Sequence, residues 1–234
     1  MLKTLFIVLL TLAGSIVVFG QRSFGIKIYQ NTDIFDSEVT DTDAKTKTTV
    51  HNVNAGRFTI ALNLVSKNKM IHEIELFIPE VSKSLDNMQY PMDYNFRKSY
   101  RIEGKGSSYS LRYELSKMVT KEDKRLRFSG GVGVNPYYVH LEYFPLNTQT
   151  YYSSSRLYGA AINIIPRLTF DLAQGFYLDL SVPLKVYDLR VDEFQVNNPA
   201  IPVEQQISTD YNSIFFENAY TIRLGLAYTI NKGN

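Results

Sequence analysis

Cysteine is absent from the 234 residues, and so is tryptophan. Without cysteine there is no disulfide framework, no thiol nucleophile, no thiolate metal site and no lipidated cysteine. An exported chain of this kind is held only by its own core or by a membrane. Histidine is scarce, with His51 and His140 in or beside polar connecting segments and His72 on an apolar face. No pair of them has the spacing of a metal site, and no phosphate loop or calcium loop occurs, so neither metal nor cofactor is expected. Charge of one sign is lacking too. The 25 Lys and Arg and 23 Asp and Glu are spread along the chain and leave a net charge of +2, with no basic tract to suit nucleic acid.

Long hydrophobic runs are also missing. The stretch from Leu5 to Val18 is interrupted by Thr11, Gly14 and Ser15 and falls short of the roughly 20 apolar residues that span a bilayer as a helix. It follows Met1-Leu2-Lys3 and leads to small residues before Gln21, the pattern of a secretory signal. Residues 1–20 are therefore expected to be a signal peptide and 21–234 a single domain, with the export and barrel-assembly machinery as partners.

What is abundant is alternation with a period of two, together with 17 Tyr and 14 Phe, residues that suit strands and membrane interfaces. Phe58, Ile60, Leu62 and Leu64 alternate with polar or small residues; after Ser66-Lys67-Asn68-Lys69, a second run sets Met70, His72, Ile74, Leu76 and Ile78 against Glu73 and Glu75. Two alternating runs about a polar tip read as a hairpin. A second hairpin spans Tyr109 to Leu115 and Leu126 to Val134, and a third spans Ala160 to Phe170 and Phe176 to Val186. Single strands around Phe24 to Ile28 and Tyr220 to Ile230 bracket the set. The sum is an all-β chain of about eight strands, expected to form an antiparallel up-and-down transmembrane β-barrel. Connections near 67, 121 and 174 are short, whereas those near 36–54, 83–104, 141–154 and 190–214 are long. Transmembrane barrels have this asymmetry, with short periplasmic turns and long extracellular loops.

The polar face gathers Lys27, Arg57, Glu73, Glu75, Arg112, Glu114, Arg127, Arg167, Asp171, Asp179, Lys185 and Arg223, with Gly131, Gly133 and Gly225 among them. In a narrow lumen such charges pair and glycines make room. Alternation alone leaves open which face is inside, so a soluble lipocalin-like binding barrel is an alternative. Glu73 and Glu75 have the look of a catalytic pair, but among so many arginines they read as paired structural charges. His140, Glu142 and the serines Ser153, Ser154 and Ser155 offer the residue types of a rim lipid hydrolase or acyltransferase, an alternative that requires their convergence. Tyr137, Tyr138, Tyr143, Phe144, Tyr151 and Tyr152 read as an interfacial aromatic belt. Pro136, Pro166 and Pro183 fall inside strands and are expected at bulges or the rim.

The segments Val18-Phe19-Gly20, Leu178-Asp179-Leu180-Ser181-Val182-Pro183-Leu184-Lys185 and Arg223-Leu224-Gly225-Leu226-Ala227-Tyr228-Thr229-Ile230 resemble the outer-membrane β-barrel domain family of Gram-negative bacteria, small porin-like proteins of about eight strands. The resemblance covers nearly all of the chain after Gln21. It implies an outer-membrane address and contact with outer-membrane lipid, and no reaction. The expected function is that of a non-enzymatic barrel with a lumen plugged by charged side chains, structural or binding an extracellular ligand through its long loops. A narrow pore, with extra strands drawn from Lys45 to Val53 and Phe194 to Ile207, is a further alternative.

Overall fold

The structure is a computed structural model that describes residues 21–41, 46–66, 68–77, 81–82, 104–120, 124–144, 151–216 and 219–231; the expected signal peptide lies outside them. Eleven strand segments follow in order: β1 (Gln21–Asp41), β2 (Thr46–Ser66), β3 (Met70–Phe77), β4 (Val81–Ser82), β5 (Gly104–Met118), β6 (Leu126–Tyr143), β7 (Ser153–Ala173), β8 (Phe176–Ser181), β9 (Leu184–Val196), β10 (Ile207–Phe215) and β11 (Ala219–Asn231). All pairings are antiparallel. They make eight barrel strands, because β3 with β4, β8 with β9, and β10 with β11 each form one strand in two segments. The sheet closes where β1 pairs β11 from Ser23↔Asn231 to Phe35↔Ala219. A single 3-10 turn, Val203–Gln205, is the one helical element among the described residues.

Burial settles which face is inside. Along β1, Ser23, Gly25, Lys27, Tyr29 and Asn31 are buried while Ile26 and Ile28 are exposed; along β11, Arg223, Gly225 and Ala227 are buried while Leu224, Leu226 and Tyr228 are exposed. The same split runs through β2, β7 and β8, where Ile60, Leu62, Ile162, Ile164, Leu178 and Leu180 all face outward. A water-soluble barrel has the reverse polarity, so the lipocalin-like alternative fails. An outward apolar wall of this extent is stable against lipid and not against water. On β6 the outward band runs from Leu126 to Tyr138, which at about 3.3 Å per residue and a tilt of about 40° spans about 30 Å of bilayer.

Two strand expectations are corrected. Residues near 36–54 and 190–214 do not form long free loops. β1 and β2 stay paired out to Asp41↔Thr46, and β9 and β10 pair from Phe215↔Tyr187 to Ile207↔Gln195. The β-compatible runs in these segments lengthen existing strands instead of adding new ones, which removes the barrel of ten or more strands. Nor do the prolines sit at bulges. Pro136 and Pro166 lie in register opposite Ala160 and Gly130. The lack of an N–H at Pro136 is absorbed by a gap in the β5–β6 ladder between Ser110↔Tyr137 and Tyr113↔Val134, and Pro183 falls in the break between β8 and β9. The register shifts lie elsewhere, among them Asn31/Thr32 and Ile162/Asn163.

Candidate functional site

Strand parity sends one side chain in two into the lumen, and at mid-barrel those side chains are charged. Lys27 on β1, Glu73 and Glu75 on β3, Arg112 and Glu114 on β5, Arg167 on β7, Asp179 on β8 and Arg223 on β11 meet there. The Lys27 ammonium lies 2.6 Å from both Glu73 and Asp179. Arg167 grips Glu73 with two nitrogens, at 2.8 and 2.9 Å, and reaches Glu114 at 2.5 Å and Asp179 at 3.4 Å. Arg223 pairs with Glu75 and with Glu114, and its Nε donates to Ser181 Oγ at 3.0 Å. Arg112 completes the set by donating to Glu75 at 3.2 Å.

Four cations therefore meet four carboxylates, and the cluster is neutral as a whole. Neutrality matters because a charge withdrawn from water is tolerated only beside its counter-charge. The side chains of Arg167, Arg223, Glu73, Glu114 and Asp179 have no solvent exposure. Space comes from the small residues between them. A Cβ on Gly225 would lie 2.5 Å from the Tyr29 ring, and that ring carries the Arg223 guanidinium 4.8 Å from its centre.

The remaining expected lumen charges lie apart from this centre. Arg127 and Asp171 pair with each other nearer the short turns. Lys185 sits 3.6 Å from Asp188, which accepts a hydrogen bond from Tyr137 at 2.9 Å. The side chain of Arg57 lies outside the described residues. Tyr29, which donates to Glu73 at 3.0 Å, and Asp188 belong to the lumen and were not expected there, whereas Asn63, which donates to Tyr177, lies on the polar face that alternation gave it. Continuing the β1 alternation two residues past Lys27 would have placed Tyr29 inside.

Glu73, Glu75 and Glu114 each bring a carboxylate oxygen within 4.8 Å of the others, a spacing that a cation can use. Here Lys27, Arg167, Arg223 and Arg112 already provide the positive charge.

Beyond Tyr138 the outer wall turns polar. Lys105 pairs with Glu142 at 2.9 Å, His140 with Glu142 at 3.3 Å and Arg156 with Glu193 at 2.6 Å. The hydrogen bond from Lys105 holds the Glu142 carboxyl below its ordinary range. Both ring nitrogens of His140 are engaged, one by Glu142 and one by Tyr138. The aromatic cluster divides instead of forming one belt. Tyr138 faces out beside Tyr109 and opposite Tyr158, Tyr137 and Tyr143 do not, and Phe144 packs on Tyr152. The outward girdle recruits Tyr109, Tyr158 and Tyr220 as well.

No protein-family model matches the chain, and no curated protein sequence matches it. Among solved structures it is similar to Neisserial surface protein A, with 8% identity, 89% of this chain and 96% of that chain covered, and a TM-score of 0.40. It is also similar to a major outer membrane protein from Thermus thermophilus, at 11% identity, 88% and 99% coverage and a TM-score of 0.44. A third is Ail, the attachment invasion locus protein of Yersinia pestis, at 10% identity, 91% and 100% coverage and a TM-score of 0.42. The architecture described above stands on the chain's own pairing and burial.

Proposed function

We propose that this eight-stranded outer-membrane β-barrel is non-conducting and non-enzymatic, and that it acts at the cell surface through the hairpins that stand above its outer rim. The observation that carries the reading is the neutral charge cluster at mid-barrel. An eight-stranded barrel is just wide enough for its own side chains to fill, and here paired arginines and carboxylates cross the axis from opposite walls. What remains for contact with other molecules is the wall beyond Tyr138, where the outer face is polar and the β1–β2 and β9–β10 hairpins continue past the closed part of the barrel.

The test is electrical and chemical. Purified barrel in planar bilayers is expected to show no steady conductance; large stable current steps would overturn the plugged lumen. Incubation with outer-membrane lipid is expected to release or transfer no acyl chains. Turnover abolished by His140→Ala in a barrel that still folds would establish the rim enzyme in its place.

A further inference from the structure

The rim at the short turns carries cations that the lumen cluster does not use. Lys69 and Lys117 are neighbours, since Met70 pairs with Lys117 and the Met118 N–H donates to the Lys69 carbonyl at 3.3 Å. Lys124 and Arg125 lead into β6, one barrel strand further round, and all four residues are exposed. Lys117 continues the outward series of Tyr113 and Leu115. Arg125 lies 5.5 Å above the ring of Phe170, itself on the outward wall. None of the four has a carboxylate partner among the described residues.

The opposite rim is built differently. There Lys105, Arg156 and His140 each face a carboxylate across a ladder or along a strand. Among the described residues, one end of the barrel thus pairs its cations with carboxylates, and the other leaves these four without such a partner, with Lys117 and Arg125 on the lipid-facing wall where the apolar band ends. Long cationic side chains in that position lay their stems along the wall and present their heads to the bilayer surface. Lys69 adds a local sign of the same demand. Its φ of 62° is one that glycine adopts freely and that any side chain with a Cβ resists, yet the position holds a cation.

We propose that the short-turn rim of β3, β5, β6 and β7 binds the phosphate headgroups of anionic phospholipids in the leaflet that faces it, through Lys69, Lys117, Lys124 and Arg125. The proposal rests on the membrane-barrel reading, and its test keeps the two apart. The full chain is reconstituted in phosphatidylcholine vesicles containing spin-labelled phosphatidylglycerol or spin-labelled phosphatidylcholine, and the share of motionally restricted label is measured for each.

The expected result is a preference of roughly fivefold or more for phosphatidylglycerol, the scale set by one or two juxtamembrane cations. It should fall as salt is raised to about 0.5 M and approach parity in Lys117→Gln/Arg125→Gln. Lys105→Gln, at the opposite rim, should leave it unchanged. Equal restriction of the two labels by a barrel whose migration still shifts on boiling would overturn the proposal and leave the barrel reading intact. So would a loss in Lys105→Gln as large as that in the double variant. A chain that enters neither vesicle overturns the barrel reading and the proposal with it.

Discussion

At the scale of single residues the lumen is a set of mutually dependent charges, and removing one exposes the rest. Glu73 is widely shared, touching Lys27, Arg167, Arg223 and Tyr29. Glu73→Gln keeps the shape and deletes the charge, leaving three buried cations, Lys27, Arg167 and Arg223, each short of a partner. The expected cost is about 3 kcal/mol or more, read as a lower urea midpoint for unfolding from micelles. In the double variant with Lys27→Met the losses should be less than additive, because the second change removes one of the stranded cations. Gly225→Val should cost about 1–3 kcal/mol by overpacking, since its Cβ would press on the Tyr29 ring. Much of this site was legible in the sequence: Lys27, Glu73, Glu75, Arg112, Glu114, Arg167, Asp179 and Arg223 all sit where alternation places the polar face. What alternation does not encode is axial height. Arg127, Asp171 and Lys185 share that face yet lie above or below the centre, and Tyr29 was hidden because an aromatic ring on a polar face looks like an exception to parity.

At the scale of elements, the strands were easier to recognise than their ends. Alternation marks a strand only where one side meets lipid and the other the lumen. Past Tyr138 the outward face becomes Lys105, His140, Glu142, Arg156 and Glu193, the contrast fades, and paired strands read as loops. The rim pairing has its own signature in pH. Glu142 is held below the ordinary carboxylate value of 4.5 by the Lys105 hydrogen bond, so the folded state binds this proton less readily than the unfolded chain does. Whatever the pair contributes is therefore present above the ordinary carboxylate range and is lost as pH falls through the lowered value. An NMR titration of the Glu142 carboxyl carbon should show its midpoint rising toward 4.5 in Lys105→Gln. No change in midpoint would mean that the pair does not persist in solution.

At the scale of the whole molecule, closure between β1 and β11 brings the two ends of the described chain to the rim of the short turns, because an even number of antiparallel strands returns to its starting side. Ser23 pairs with Asn231 there, close to the β2–β3 turn and to the Ala173–Phe176 turn, whose Gly175 carbonyl accepts from the Thr229 N–H at 2.7 Å. The β9–β10 connection, from Asn197 to Gln206, lies at the far end. On the proposed plugged-lumen reading, Lys27, Arg167 and Arg223 with their carboxylates keep a label from passing between the two ends. A chain without cysteine makes this orientation directly measurable. A membrane-impermeant maleimide applied to intact cells is expected to label Asn198→Cys and not Gln174→Cys, while both react once the outer membrane is permeabilised. Gln174 is an exposed turn residue, whereas Asn198 is half-buried and accepts from the Ala200 N–H at 2.9 Å, and retained heat-modifiable migration checks that neither substitution disturbs the fold. Labelling of Gln174→Cys alone in intact cells would invert the barrel. It would place the paired charges of Lys105, Glu142, Arg156 and Glu193 in the periplasm and turn the cations of Lys69, Lys117, Lys124 and Arg125 toward the outer leaflet.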